Sequence, residues 1–507
     1  MTLLVEPANL ERFRAILARG FGLNFDDTKL PFLADLLGRR VEANGHVCGA
    51  YLSRLETPGG VGEELRALAQ ELTVAETYFF RNLAQFRAFA EVALPDRVRA
   101  QSARRRLRLL SAGCASGEEP YSLAILLREH GVEAPWETSI LGIDVNPAML
   151  QKAGRGRYST WSLRETPVEI QERWFTAEGR EFTLDGSIRA GVTFEERNLV
   201  DENADFWRLD SYDVVFCRNV IMYFTPEAAR GVVARIARAL VPGGYLFLGH
   251  AETLRGLSQD FHLRHTHGTF YYQRRDVRDR PWPRDPVATE ARPSPTTSPL
   301  VVMEGAATWV EAIRRAAERI QTLAQAPSGR PPPPGPRPEA ALDLGLAREL
   351  LKEERFAEAL DFVHALPAES AGDPDVLLLR AVLLTHGGQL EAAESVCRAL
   401  LQVDELNTGA HYLLALCREG MGDRQGAIDH DQVAAYLDPG FAMPRLHLGL
   451  LARRIGDRDL ARRELGQALI LLQREDSSRL LLFGGGFKRD ALVALCRAEL
   501  LTCGGTA

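Results

Sequence analysis

Two short stretches carry the residue types from which a nucleotide-type site is built. Ser111-Ala-Gly-Cys-Ala-Ser-Gly117 follows the strand-like run LRLLS (107–111) and precedes a helix-like run. A glycine-rich strand-to-helix turn lets backbone N–H groups approach a ligand. Asp144 stands 27 residues past Gly117, at the end of the next strand-like run, ILGID (140–144). A carboxylate there can accept hydrogen bonds from both hydroxyls of a ribose. A helix-capping or loop aspartate is the plain alternative. The glycines do not follow the GxGxxG spacing, and Glu118-Glu119 comes directly after Gly117, where a pyrophosphate would be repelled. The site therefore suits a cofactor with a ribose, an adenine and no phosphate. S-adenosylmethionine has that chemistry, and its amino and sulfonium charges would be favoured by a nearby carboxylate.

These residues need a sheet to hold them. Residues 105–275 alternate strand-like and helix-like runs, which indicates an α/β domain. Glu119 to His130 reads as a helix, and Asn146-Pro147 as an N-cap followed by proline at the first helical position. YDVVFC (212–217) is a third core strand. Thr225-Pro226 opens a helix expected to stop at Pro242-Gly243-Gly244, before the strand YLFLGH (245–250); TFYYQ (269–273) is the last strand candidate. Residues 1 to about 95 show helical spacing instead, as in Leu10, Phe13, Ile16 and Leu17, then Leu30, Leu33, Leu36, Leu37 and Val41.

The C-terminal third repeats itself. Gly388, Gly422 and Gly456 are 34 residues apart, as are Ala359, Ala393, Ala427 and Ala461, and Ala347, Ala381, Ala415 and Gly449. Small residues let paired helices approach closely, and the period is that of tetratricopeptide repeats. Four repeats starting near 340, 374, 408 and 442 fit, the first with Glu354 in place of the glycine. Between the halves, residues 281–338 hold 13 of the 27 prolines, including RPPPPGPRP (330–338). Such a run reads as a linker, with a short amphipathic helix expected over 309–323.

Composition narrows the class further. The chain has 507 residues, 46% hydrophobic and 25% charged, with a formal net charge of -7. This fits about three globular domains and lacks the basic balance of a nucleic-acid binder. Seven cysteines without a CxxC pair suggest neither a zinc site nor a disulfide framework, and a reducing, cytoplasmic setting is expected. Glu6 and Pro7 interrupt any signal-peptide core, and no apolar stretch reaches membrane-spanning length. Direct membrane insertion is not expected.

Six separated motifs agree with one family. Thr77-Tyr-Phe-Phe-Arg81, SAGCASGEEPYS (111–122), GIDVNPAMLQKAGRGRY (142–158), Asn198-Leu199, FCRNVIMYF (216–224) and PGGYLFLGHAETL (242–254) occur in order. Over about residues 10–275 the chain resembles the chemotaxis receptor methyltransferases of the CheR family. Members carrying tetratricopeptide repeats after a linker, the biofilm-associated WspC type, are similar to the whole chain. The resemblance implies an α/β Rossmann-like methyltransferase preceded by a small all-α domain and followed by an α-helical tetratricopeptide solenoid. The expected divisions are 1–95, 96–275 with a small β-subdomain near 174–197, a linker over 276–339, four repeats over 340–475 and a capping helix over 476–507. The implied activity is methyl transfer from S-adenosylmethionine to glutamate side chains of methyl-accepting chemoreceptor helices, leaving S-adenosylhomocysteine. The implied cofactor residues are Thr77, Arg81, Glu119, Asp144, Asn198, Leu199, Arg218 and Asn219, with Glu118 a neighbour of Glu119. An asparagine usual in the family two residues before the threonine is Ala75 here.

The reaction itself sets what the protein must supply. A glutamate titrates near 4.3 and is already a nucleophile at neutral pH, so no strong base is required. Positioning and a preorganised, dry site matter instead. Arg81 is the candidate for orienting the glutamate carboxylate, and Tyr223 for hydrogen-bonding near the transferring methyl; a surface salt-bridge arginine and an ordinary rim tyrosine are the plain alternatives. Arg39 and Arg40 are candidates for docking acidic receptor helices, with a solvated basic face as the alternative. The solenoid would bind a protein partner whose identity the sequence leaves open. Two rivals remain. Nucleic-acid methylation lacks the Asn/Asp-Pro-Pro-Tyr arrangement after strand 212–217 and conflicts with the acidic charge balance. An inactive cofactor-binding scaffold conflicts with retention of Arg81, Asp144, Asn219 and Tyr223.

Overall fold

The computed structural model describes residues 6–45, 47–57, 62–73, 76–276, 345–353, 355–366, 370–485 and 487–504. The proline-rich linker, the helix expected over 309–323, Ala75 and Glu354 lie outside them. Two compact units divide at residues 284 and 285.

The first unit opens with four helices, α1 (Pro7–Phe21), α2 (Leu30–Ala43), α3 (Cys48–Leu55) and α4 (Gly62–Leu72). Their apolar faces meet through Phe13, Leu17, Leu33, Leu37, Leu52 and Leu68, all fully buried. Pro7 sits in the first turn of α1, where its missing N–H costs nothing. Gly22 ends the helix in the left-handed conformation (φ 72°), and a Cβ there would stand 2.6 Å from Val200 Cγ1.

Two short helices, α5 (Leu83–Ala88) and α6 (Leu94–Ala100), lead into the sheet domain. Its elements are β1 (Arg106–Ala112), α7 (Glu118–Glu129), β2 (Glu137–Asp144), α8 (Pro147–Arg155), β3 (Arg157–Ser159), α9 (Val168–Trp174), β4 (Phe175–Glu178), β5 (Glu181–Leu184), α10 (Gly186–Ala190), β6 (Val192–Glu196), β7 (Tyr212–Cys217), α11 (Pro226–Ala239), β8 (Leu240–Leu248), β9 (Phe261–Thr266) and β10 (Thr269–Arg274). The main sheet has the order β6-β2-β1-β7-β8-β10-β9, parallel through β8 and antiparallel at the β10 and β9 edge. The strand order reverses between β1 and β7, which places a ligand crevice at the carboxyl ends of these strands.

Two boundaries differ from the sequence reading. The small antiparallel sheet, β3-β5-β4, spans 157–184, not 174–197. Val192–Glu196 instead extends the main sheet beside β2. Phe194 explains this: its ring packs over Gly142, where a Cβ would be 2.8 Å away, and lies 5.4 Å from the Tyr121 ring. Likewise Pro242-Gly243-Gly244 does not end α11 but lies inside β8, whose register with β7 is irregular.

The second unit is a tetratricopeptide-type solenoid. Its helix pairs are α12 (Gly345–Lys352) with α13 (Phe356–His364), α14 (Pro374–His386) with α15 (Leu390–Val403), α16 (Thr408–Gly420) with α17 (Arg424–Leu437), and α18 (Ala442–Ile455) with α19 (Arg458–Leu472). The 34-residue alanines are fully buried between paired helices. At Gly449 a Cβ would fall 2.6 Å from Leu465 Cγ, so the close approach of α18 and α19 requires glycine. The single cap expected over 476–507 is two helices, α20 (Ser477–Phe483) and α21 (Arg489–Thr502), separated at Gly484 and Gly485, the latter at φ 63°. Among the described residues no helix is long and apolar enough to cross a membrane, and no cluster of three or more metal-ligating side chains occurs.

Candidate functional site

A cleft of about 920 Å³, open to solvent, lies at the carboxyl ends of β1, β2 and β7. Gly113, Ala115, Asp144, Leu199, Asn219 and Tyr223 form its sheet side. Its other wall is Phe21, Leu23, Phe25 and Leu72 from the N-terminal helical region. That wall is pinned to the sheet domain by backbone bonds: Asn24 N–H donates to the Tyr223 carbonyl at 2.8 Å, and Thr225 N–H to the Gly22 carbonyl at 2.7 Å. Within residues 6–73 the sequence reading gave only a docking role, to Arg39 and Arg40. The signal it missed is Gly22, a glycine forced by contact with Val200 and Ala228.

Asp144 lies where the sequence placed it. Its Oδ2 accepts from Ala115 N–H (2.9 Å) and its Oδ1 from Asn146 N–H (2.8 Å). Burial raises its carboxyl above the usual aspartate range, opposed by these backbone N–H bonds. Each oxygen retains a second lone pair for a ligand in the cleft. Gly113 (φ 74°) brings the turn against Val220, whose Cγ2 would meet a Cβ at 2.4 Å.

The two glutamates after Gly117 part company. Glu119 accepts from Ser111 Oγ (2.7 Å) and pairs with Arg218 Nη1 (3.2 Å). Burial raises the Glu119 carboxyl, and Arg218 pulls it back down. Glu118 points the other way. It is fully buried, and its carboxylate accepts from Ser116 Oγ (2.8 Å) and Ser162 Oγ (3.3 Å). Glu118 thus braces the turn from behind, away from Glu119; successive helical positions diverge by about 100°.

Arg218 is buried, with Nη2 donating to the Arg81 carbonyl at 2.5 Å and its guanidinium 5.4 Å from the Phe86 ring centre. Its Nε is buried without a partner among the described residues. Arg81 sits between Phe80 and Asn82, both at positive φ (57° and 62°). The turn is held by Phe79 N–H on the Ser162 carbonyl (2.9 Å) and Phe80 N–H on Ser122 Oγ (3.0 Å). The Arg81 side chain bonds the Glu76 carbonyl at 2.5 Å. Thr77 is half-buried on the same segment. Asn198 is drawn off: its Nδ2 donates to the Gly20 carbonyl (2.7 Å), fastening the helical region, while its neighbour Leu199 lines the cleft. Tyr223 is 41% exposed at the cleft rim.

One residue the sequence reading did not single out organises the far side. Buried Glu252 accepts four backbone N–H groups, from Asn219 (2.7 Å), Val220 (2.8 Å), Met222 (3.1 Å) and Gly249 (2.6 Å). It holds Asn219 in the left-handed conformation (φ 59°) at the cleft. Gly249 has no Cβ to obstruct this, since one would fall 2.7 Å from Glu252 Oε2. An acid so soon after a core strand was the available signal.

Arg39 and Arg40 do not form a free basic face. Arg40 forks onto Glu64 through Nε (2.8 Å) and Nη2 (2.6 Å), and Glu64 also accepts from Tyr51 and Asn44. Against the cost of burial, these bonds hold Glu64 below the usual carboxylate range. Arg39 pairs with Asp35 and Glu71. Both arginines are paired with carboxylates within the helical region, so the positive face expected there is offset by Asp35, Glu64 and Glu71.

The cleft fits a phosphate-free nucleoside cofactor. Asp144 offers acceptors, Leu199, Val145 and Val220 offer apolar wall, and the Glu119 carboxylate at the start of α7 would repel a phosphate. Comparison with known proteins agrees. The family described as "CheR methyltransferase, SAM binding domain" matches residues 75–270. Chemotaxis protein methyltransferase 2 of Vibrio cholerae is 34% identical over 276 residues, covering 54% of this chain and 94% of that protein. A probable biofilm formation methyltransferase WspC of Pseudomonas putida is 30% identical over 456 residues, covering 90% of this chain and 96% of that protein. A thermophilic TPR protein of Thermus thermophilus aligns in structure with 31% of the chain and 88% of its own, at 22% identity and a TM-score of 0.25. Identical to one relative at 34% of 276 aligned positions, along nearly that relative's whole length, and carrying a cleft suited to S-adenosylmethionine, the chain belongs to the CheR methyltransferase family.

Proposed function

We propose that this methyltransferase esterifies glutamate side chains of a chemoreceptor-like, methyl-accepting protein, giving glutamate 5-O-methyl esters. The observation that carries the reading is the composition of the cleft rim, where Tyr223 stands exposed and no histidine occurs among the described lining residues. An ionised carboxylate needs none. Chemotaxis-named relatives support the same substrate class. The bound cofactor supplies a methyl group made electrophilic by its sulfonium. Asp144 would take the ribose hydroxyls, and Glu119, held by Ser111 and Arg218, the cationic amino-acid end. Asn219, Leu199 and Thr77 would complete the cofactor's enclosure. Arg81 keeps donors beyond the one given to the Glu76 carbonyl, and would orient the incoming glutamate, with Tyr223 bonding it from the rim. Each ester removes one negative charge from a receptor helix and so alters like-charge repulsion between packed helices. The solenoid acts as the protein-interaction or regulatory module.

The test uses tritiated S-adenosylmethionine, the full chain and membranes carrying candidate chemoreceptors. Methanol released by mild base from the receptor band, and lost with Arg81→Ala, is the expected result. Base-stable label would move the target to nitrogen and sink the ester reading.

A further inference from the structure

The helix that follows the last repeat pair does not cap the solenoid. α21 does that: Cys496 Sγ lies 3.1 Å from the Leu465 carbonyl of α19, and Glu499 pairs with Arg453 at 2.7 Å. α20 instead runs back across the first helices of three repeats. In α14, His386 Nε2 is 3.3 Å from the Leu482 carbonyl. In α16, Tyr412 OH donates to the Phe483 carbonyl at 3.4 Å, and the Phe483 ring lies where a Cβ on Gly409 would be 2.8 Å from it. At the start of α18, the Phe441 ring is 5.2 Å from that of Phe483, and the Arg479 guanidinium sits 4.4 Å over Phe441 while pairing with Asp438 at 2.7 Å. Buried Glu475, just ahead of α20, accepts Ala442 N–H at 2.7 Å.

The first helices of stacked repeats line the concave face on which solenoids bind partners. Here that face holds a helix read as a bound peptide is read: an aromatic anchor in a notch, a cation against an anion, and main-chain carbonyls bonded by groove side chains. The occupant is only seven residues long, too short to be stable by itself. It is followed by Gly484 and Gly485, the latter at φ 63°, residue types with wide conformational freedom.

We propose that this concave groove is a docking site for a partner's amphipathic helix carrying a cation one turn ahead of a phenylalanine. α20 is the chain's own occupant of the groove and leaves it when the partner binds. Gly409 makes the notch for the aromatic ring, and Asp438 with Phe441 takes the cation. The inference stands on the solenoid alone and does not depend on the methylated substrate.

The test has two arms on the full chain. In amide hydrogen exchange, residues 478–484 are expected to exchange at least about tenfold faster than 412–417 in α16, showing that α20 opens without the solenoid. A fluorescein-labelled synthetic peptide of residues 474–488 is the probe in the second arm. By anisotropy it should bind an Arg479→Glu chain at least about tenfold tighter than the wild-type chain, whose groove is filled. Adding Asp438→Arg to that variant should abolish the gain. Exchange of α20 in step with α16 would make the segment a fixed part of the core and overturn the proposal. So would equal peptide binding by the wild-type and Arg479→Glu chains with unchanged circular dichroism.

Discussion

Four backbone N–H groups converge on the Glu252 carboxylate, and three come from the loop that carries Asn219 and Tyr223. In Glu252→Gln one oxygen becomes an NH2 donor facing N–H groups, and each buried donor left unpaired costs about 1–3 kcal/mol. Methyl transfer should fall by roughly 10–100-fold as Asn219 and Tyr223 lose position, while the far-UV circular dichroism spectrum is kept. A full loss of helicity would mean that Glu252 serves folding rather than the site. Asp144→Asn should weaken S-adenosylhomocysteine binding by about 10–100-fold in calorimetry, because a neutral amide is a poorer acceptor than a carboxylate and turns one acceptor into a donor. Unchanged affinity would return Asp144 to the role of a loop cap. At this scale the sequence was legible where residue type and strand end coincide, as at Asp144 and Asn219. It was not legible at Glu118, whose adjacency to Glu119 hides divergent directions on the helix, nor at Glu252, three of whose four partners are main-chain groups some 30 positions away.

Among the elements, α16, α17 and α18 share a buried charge cluster. His447 lies 2.6 Å from Asp431 and 3.1 Å from Glu419, which also pairs with Arg454. Burial by itself would lower the His447 pKa, but the Asp431 and Glu419 carboxylates reverse this and hold it up to about 10. An unfolded histidine titrates near 6.5. The folded solenoid therefore binds more protons than the unfolded chain between these values, and stability falls as pH rises through that window. The contribution is whole below pH 6.5 and gone above 10. Removing the histidine with His447→Gln strands the buried Asp431 carboxylate, while Glu419 keeps Arg454, at a cost of about 3–5 kcal/mol near neutrality. Melting curves of both chains, followed at 222 nm, should converge by up to about 1.4 kcal/mol per pH unit between pH 7 and 9. A constant gap would show that the imidazole is neutral in the fold. The repeat period foretold these helices, since 34-residue spacing of small residues is a packing constraint. It did not foretell their charges, which depend on which faces meet. The same gap hid the pairing of Arg39 and Arg40, whose acidic partners Glu64 and Glu71 lie on a separate helix.

At the scale of the whole chain, the sequence separates a catalytic part from a repeat part through composition and period, and the structure divides at residue 284. Contacts between distant segments were the part it hid. The helical wall of the cleft and the return of α20 across three repeats join residues far apart in sequence, and neither leaves a periodic trace. The division itself yields a prediction. Every residue lining the cleft falls between Phe21 and Phe224, and the first unit has its own apolar cores, which include Leu17 and Leu37 in the helices and Leu109 and Phe216 in the sheet. A chain of residues 1–276 should therefore bind S-adenosylhomocysteine within about twofold of the full chain in calorimetry, since no lining side chain is lost. Its turnover on receptor membranes separates two roles for the solenoid. Faster methylation by the short chain would mean that the repeats restrain catalysis; slower methylation at equal cofactor affinity would mean that they recruit the substrate. A short chain that folds but binds the cofactor tenfold more weakly would break the premise, because it would require the second unit to support the cleft.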